Sequence, residues 1–216
     1  FSAIGRGSLG LGRPRGRRHS RHERQCLRGA AAGLALRGRT PIVHALAAFL
    51  TMRAFEFVRT DLGIADLPAK LSGFIPGLLS DANGPTHQAI EDVSIMRGIP
   101  NMTVFAPADE DDLIKMLPDV WQSPDPAYIR INTRKTTYEH APFKMGKAEV
   151  ICTGTDVTIL TYGLLFEQAL IAVDMLKAEG ISVGLVNMRS LKPVDEEAIL
   201  AVAANSHMLV TLEDHF

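Results

Sequence analysis

Apolar positions along this chain follow two alternating rhythms. Short apolar runs of strand length are followed by stretches in which apolar residues return every three or four positions, so the pattern predicts strands alternating with helices. In the first half, Gly29–Leu36 (GAAAGLAL) is a small-residue helix ended by Gly38. Pro41–Ala45 is a buried strand, Phe49–Leu62 a helix, Lys70–Phe74 a candidate strand and Ile75–Asn83 a loop. Gly84-Pro85 is a turn, because glycine permits positive φ and proline fixes φ near −65°. His87 follows it. Ala89, Ile90, Val93 and Met96 then fall at helical spacing over Gln88–Arg97. Ile99-Pro100-Asn101 breaks that helix before the strand Met102–Phe105. Asp109 is a good N-cap for a helix reaching about Val120, with Glu110, Asp111 and Asp112 in its first turn. Ala127–Asn132 is the last strand of this half.

Thr136–Gly146 carries no clear period and is expected to be a linker. Beyond it come the strand Asp156–Tyr162, a helical stripe of Leu165, Ala169, Ala172, Val173 and Leu176, and Gly180 as the C′ residue. The strand Ile181–Asn187, a helix Val194–Ala204 with Pro193 at its first position, and the strand Met208–Leu212 complete the pattern. Strands and helices alternating on short links predict parallel sheets with right-handed crossovers. The expected organisation is an α/β unit over 29–135, a linker over 136–146 and a second α/β unit over 147–216.

Residues 1–28 stand apart. They hold eight arginines, one glutamate (Glu23) and no aspartate or lysine, a charge of +7 against −8 for the rest of the chain. A basic nucleic-acid arm, an Arg-rich transit segment and the frameshifted reading of a GC-rich gene all fit that text. None predicts packed structure before about residue 28. Over its 216 residues the chain is 46% apolar with a net charge of −1, which fits a globular protein and gives no global case for nucleic acid or membrane binding. Two cysteines, Cys26 and Cys152, lie far apart with no CxxC spacing, so neither a disulfide framework nor a zinc site is expected, and a cytoplasmic setting is the default. No apolar run is long enough to span a bilayer. Phe at position 1, and an end directly after an apolar strand, suggest a piece of a longer protein.

The wording of Gly84–Asp109 is specific. GPTHQ, then ED at Glu91-Asp92, then R-x-I-P-N-M and PAD resemble the pyrimidine-binding half of transketolase-type, thiamine-diphosphate-dependent enzymes. GKAEV, DVTILTYG, GISVGLVNMRSLKPVDEEAI and the closing TLEDH are similar to the start of the transketolase C-terminal domain. The resemblance covers about 29–215. It implies a parallel-sheet pyrimidine-binding domain followed by a truncated C-terminal domain, since the glycine-rich segment that follows E-x-H in the family is missing. The function it implies is transfer of a two-carbon ketol unit between sugar phosphates. The thiamine diphosphate would be shared with a partner, because the family's Gly-Asp-Gly metal pattern is not in this sequence. Diphosphate and Mg2+ would then be held by an N-terminal transketolase subunit or domain, in a homodimer or heterotetramer, and this chain alone would be inactive.

The resemblance also implies roles. His87 matches a histidine near cofactor and donor substrate, a catalytic candidate. Phe49, Leu50 and His44 are candidates for the pyrimidine pocket, with core packing as the competing reading. Asn83 stands where transketolase has an aspartate that reads the donor hydroxyl. Arg134 matches an arginine that contacts substrate phosphate, a task suited to its bidentate donors. The activating glutamate of the family falls on Arg24, one position from Glu23, and an arginine cannot share a proton. Glu91, Asp92 and Arg97 are expected on an exposed or interface face. Within the family, the alternatives are a 2-oxo acid dehydrogenase β subunit or a deoxyxylulose-phosphate synthase. Outside catalysis, the alternative is a non-catalytic pyrimidine-domain partner.

Overall fold

The computed structural model describes residues 21–216, with side chains from residue 29 onward. The readings of residues 1–20 and of the side chains of Glu23, Arg24 and Cys26 lie outside that part. The first half runs α1 (Arg21–Leu36), β1 (Ile42–Leu46), α2 (Ala47–Leu50), α3 (Phe55–Phe57), β2 (Lys70–Phe74), α4 (Asp92–Arg97), β3 (Thr103–Phe105), α5 (Glu110–Gln122) and β4 (Ala127–Ile131). The second half runs β5 (Glu149–Cys152), β6 (Val157–Thr161), α6 (Phe166–Ala178), β7 (Val183–Asn187), β8 (Ser190–Lys192), α7 (Glu196–Asn205) and β9 (Met208–Leu212). A π-helical segment covers Val58–Ile64, and 3-10 turns cover Asp81–Thr86 and Gly163–Leu165.

Two sheets result. The first has the order β1-β2-β4-β3-β8 and the second β5-β7-β6-β9. Apolar strands joined through helices pair in parallel, as predicted: β1 with β2, β2 and β3 with β4, and β6 with β7 and β9. Two short strands without a clear sequence signal add antiparallel edges, β5 on β7 and β8 on β3. β8 belongs to the second half of the chain but completes the sheet of the first half.

Several predicted elements change shape for identifiable reasons. The helix expected over Gln88–Arg97 starts only at Asp92, because Ala89 gives its N–H and its carbonyl to Gly77 instead of to a helix. The helix expected over Phe49–Leu62 is divided into α2, α3 and the π segment. The Thr51 and Thr60 hydroxyls bond back to the carbonyls of Ala47 and Glu56, each at 2.8 Å, which competes with a regular ladder. At Gly63 a Cβ would stand 2.1 Å from Ile99 Cγ2, so this turn packs where a side chain has no room. Pro193 does not open the last helix. Asp195 caps it, accepting from Ala198 N–H at 3.2 Å. Asp109 caps α5 as predicted, accepting from Asp111 and Asp112 N–H at 3.0 and 3.2 Å.

The largest core cluster crosses the two halves. Leu50, Val58, Leu71, Met96 and Tyr128 of the first pack with Tyr162, Val186, Met188, Leu191 and Val202 of the second. The linker is also held: His140 and Phe143 are buried within it. Among the described residues no helix is long and apolar enough to cross a membrane.

Candidate active site

In a parallel sheet the carboxyl ends of the strands are the usual ligand edge, since helices cover the faces and loops gather there. At that edge of the first sheet, β1 runs directly into α2, which carries Phe49. The loop leaving β2 turns at Gly77 and carries the 3-10 turn Asp81–Thr86 with His87 at its end. Gly84 has φ 67°, a left-handed conformation that glycine adopts without penalty, and open space surrounds the position its Cβ would take.

This geometry brings Phe49 and His87 together. Their ring centroids lie 5.1 Å apart at an interplanar angle of 60°. The Arg53 guanidinium sits 4.5 Å over the Phe49 ring and donates to the Thr86 carbonyl. The Thr86 hydroxyl is 2.9 Å from His87 Nδ1. An aromatic ring, an imidazole held from one side and a planar cation therefore converge on the strand ends. Phe49 and His87 are both half-buried, so the pair is reachable.

The other predicted residues are placed elsewhere. Leu50 is fully buried in the shared core and packs there instead of lining the edge. His44 stacks on Phe74 with centroids 4.6 Å apart, and its Nδ1 is 2.7 Å from Ser72 Oγ across the β1–β2 register. Asn83 is exposed and donates to Ser80 Oγ at 3.2 Å. Arg134 pairs with Glu167 of α6 at 2.9 Å, which aims it at the second unit. Asp92, expected on an exposed face, is completely buried. It accepts from the Tyr128 hydroxyl at 2.6 Å and from Arg130 Nε at 3.0 Å. The sequence pattern places Asp92 on one exposed face with Glu91, which is itself half-buried. The late start of α4 turns Asp92 inward onto a cation that no local pattern reveals.

A second buried polar cluster was also missed. His140 Nδ1 lies 2.7 Å from Glu149 Oε2, Arg189 Nε donates to Asp112 Oδ1 at 2.8 Å, and Asn187 donates to both Asp112 and Glu149 at 3.2 Å. Burial by itself pulls the His140 imidazolium down, but the bond to Glu149 and the charges of Asp112, Glu149 and Asp109 outweigh it and raise its pKa. Burial pushes the Glu149 carboxyl up, and the bonds from His140 and Ala141 N–H, with the Arg189 charge, bring it below its ordinary value. This cluster joins the linker, α5 and the second unit.

Against known proteins, residues 25–138 match the family model for the transketolase pyrimidine binding domain. The chain belongs to the transketolase family. Residues 146–216 match the transketolase C-terminal domain. The chain is 39% identical to the 6-deoxy-6-sulfo-D-fructose transketolase subunit SqwH of Clostridium sp. (strain MSTE9), covering 86% of this chain and 59% of that protein. It is 35% identical to the putative transketolase C-terminal section of Methanocaldococcus jannaschii, covering 87% and 60%. A 1-deoxy-D-xylulose-5-phosphate synthase of Prochlorococcus marinus (strain MIT 9313) is 36% identical over 85% of this chain and 29% of its own length. Among solved structures, one described as a split gene transketolase, inactive beta4 tetramer, superposes with a TM-score of 0.82 at 37% identity, covering 89% of this chain and 63% of that one. The chain thus spans about three fifths of the length of the transketolase subunits and sections it matches.

Proposed function

We propose that this chain is the pyrimidine-receiving subunit of a split, transketolase-type enzyme that moves a two-carbon ketol unit between sugar phosphates. The observation that carries the reading is the Phe49–His87 pair at the carboxyl edge of the first sheet. The names of its relatives support it, because two are a transketolase subunit and a transketolase C-terminal section. When bound, thiamine diphosphate supplies the carbanion that breaks and makes carbon–carbon bonds beside a carbonyl.

The residues present fit one half of that cofactor. A ring that already holds a planar cation at 4.5 Å offers the surface a flat aminopyrimidine needs. His87, with Nδ1 engaged by Thr86, presents Nε2 for a donor-substrate hydroxyl or a proton transfer. The diphosphate and Mg2+ fall to an N-terminal transketolase subunit or domain. In this reading His44 is assigned to the pyrimidine pocket and Asn83 and Arg134 to the substrate, which requires Arg134 to leave Glu167 to meet a phosphate. The inactive state named for the similar beta4 tetramer agrees with a need for that partner.

The test is to mix the purified chain with an N-terminal transketolase subunit, thiamine diphosphate, Mg2+, a ketose phosphate and an aldose phosphate. Two-carbon transfer is expected only in the mixture. His87→Ala is expected to lower kcat by about 10²–10⁴-fold, the range for a positioned proton-transfer group. Turnover by the chain alone contradicts the split arrangement, and a mixture that neither turns over nor binds the cofactor overturns the reading. A 2-oxo acid accepted in place of the ketose phosphate moves it to the deoxyxylulose-phosphate synthase type, a relative that this chain matches over 29% of that protein's length.

A further inference from the structure

Residues 77–89 form a loop closed at its neck. Gly77 N–H donates to the Ala89 carbonyl at 2.8 Å, and Ala89 N–H donates back to the Gly77 carbonyl at 3.0 Å. His87 hangs from those two bonds. Beneath the neck passes the segment that follows β9, residues 213–216. A Cβ built on Gly77 would stand 1.7 Å from Asp214 Oδ2 and 3.0 Å from Arg130 Nη2, so the neck rests directly on this ion pair. Arg130 is buried between two carboxylates, with Nη1 2.6 Å from Asp214 and Nε 3.0 Å from Asp92.

The grip continues past the neck. His215 Nε2 accepts from Ser94 N–H at 3.1 Å, and Phe216 N–H donates to the Ile90 carbonyl at 3.1 Å. Three successive residues of the second unit thus hold the loop neck, the residue after it and the first turn of α4. Asp214 Oδ2 is buried and, among the described residues, has no hydrogen-bond partner. A buried carboxylate oxygen without a donor is costly, and such a group persists where its surroundings fix it in place. Here Arg130 holds the other oxygen and Gly77 closes over this one.

We propose that Asp214 and Arg130 are positioning residues, a clasp that fixes the neck of the 77–89 loop and so sets where His87 stands against Phe49. The clasp makes the geometry of a site on the first unit depend on the second unit. Its functional meaning rests on Phe49 and His87 being the cofactor-facing pair, while its mechanical action does not.

The test uses the full chain without cofactor. Backbone hydrogen exchange and the imidazole proton resonances of His87 are compared in the parent, Gly77→Ala and Asp214→Asn. In both variants the amides of residues 77 and 89 are expected to exchange about tenfold faster or more, in Asp214→Asn by loss of a charge-assisted contact beneath them and in Gly77→Ala because a Cβ at φ 58° strains the neck and displaces Asp214. The His87 ring signals are expected to shift as the ring moves against Phe49. Amides of β6 and β7 are expected to keep their rates. Equal acceleration in both units reduces the ion pair to general stability, and unchanged neck exchange with an unmoved His87 signal refutes the clasp. Should Gly77→Ala fail to fold, Asp214→Asn decides, since it keeps the shape and one acceptor. Failure of thiamine-dependent turnover leaves these readouts intact. An active enzyme with an unmoved His87 signal in the variants counts against the clasp alone.

Discussion

Arg130 shows how much one buried residue can organise. Burial disfavours its charge, yet Asp92 and Asp214 on either side, and the hydrogen bond to Asp214, more than compensate and hold it cationic. Tyr128 adds a donor to Asp92, and burial together with that carboxylate pushes the phenol well above its usual range. At Gly73 a Cβ would stand 2.6 Å from the Tyr128 ring, so the neighbouring strand carries no side chain there. Removing Asp92 leaves Arg130 with Asp214 as its one carboxylate and strips Arg130 Nε and the Tyr128 hydroxyl of their buried acceptor. Asp92→Ala is expected to lower the unfolding free energy by about 3–5 kcal/mol, measured by urea denaturation. Asp92→Asn, which keeps an acceptor for Tyr128, is expected to cost less. Equal losses would show that the charge of Asp92, which both variants remove, dominates the site over its volume and its bond from Tyr128. Lys70 illustrates the same economy in a strand: its buried amine donates to the Ser123 and Asp125 carbonyls at 2.9 and 2.5 Å, and burial lowers its pKa to about 8 despite the Asp125 charge.

At the scale of elements, the linker is more structured than its sequence suggests. Asp109 both caps α5 and accepts from Thr137 N–H at 2.8 Å, while Ala141 N–H donates to Glu149 at 2.6 Å. His140 sits between these carboxylates. Its pKa is raised above the ordinary 6.5, so its stabilising contribution is full below 6.5 and is lost as pH rises through the folded value. Glu149 is lowered from its ordinary 4.5, so its contribution is full above 4.5 and is lost as pH falls through the folded value. The pair therefore stabilises most between those two ordinary values. His140→Gln is expected to flatten the alkaline limb of stability against pH, read from urea midpoints, and to leave the limb intact if the pair contributes nothing. The linker's pattern gave no warning of this, because the histidine and its carboxylates come from three separate elements.

Among the described residues, the two sheets are held together by apolar clusters that span both halves, by the edge strand β8 that the second half gives to the first sheet, and by the ionic networks around Arg130 and Arg189. Such continuity predicts a single cooperative unfolding step. Trp121 fluorescence, which reports α5, and far-UV circular dichroism are expected to give coincident thermal transitions. Two separated transitions would show that the halves unfold independently. The apolar edge strand β9 leaves Met208, Leu209 and Val210 exposed, an edge that lacks a neighbour among the described residues.

Sequence alone determined the rhythm of strands and helices, the parallel pairing, the Asp109 cap, the Gly84-Pro85 turn and the family, because each rests on local periodicity, on a residue's own backbone preference or on a run of adjacent residues. The closeness of Phe49 and His87 follows from where β1 and β2 end, so the motifs named both residues without showing that they meet. Only the tertiary structure decided the burial of Leu50 and Asp92, the shift of Arg134 toward α6, the two antiparallel edges and the clasp of residues 214–216. Each of these depends on contacts between residues far apart in the chain. Their partners are chosen by how the two sheets pack, which no local pattern encodes.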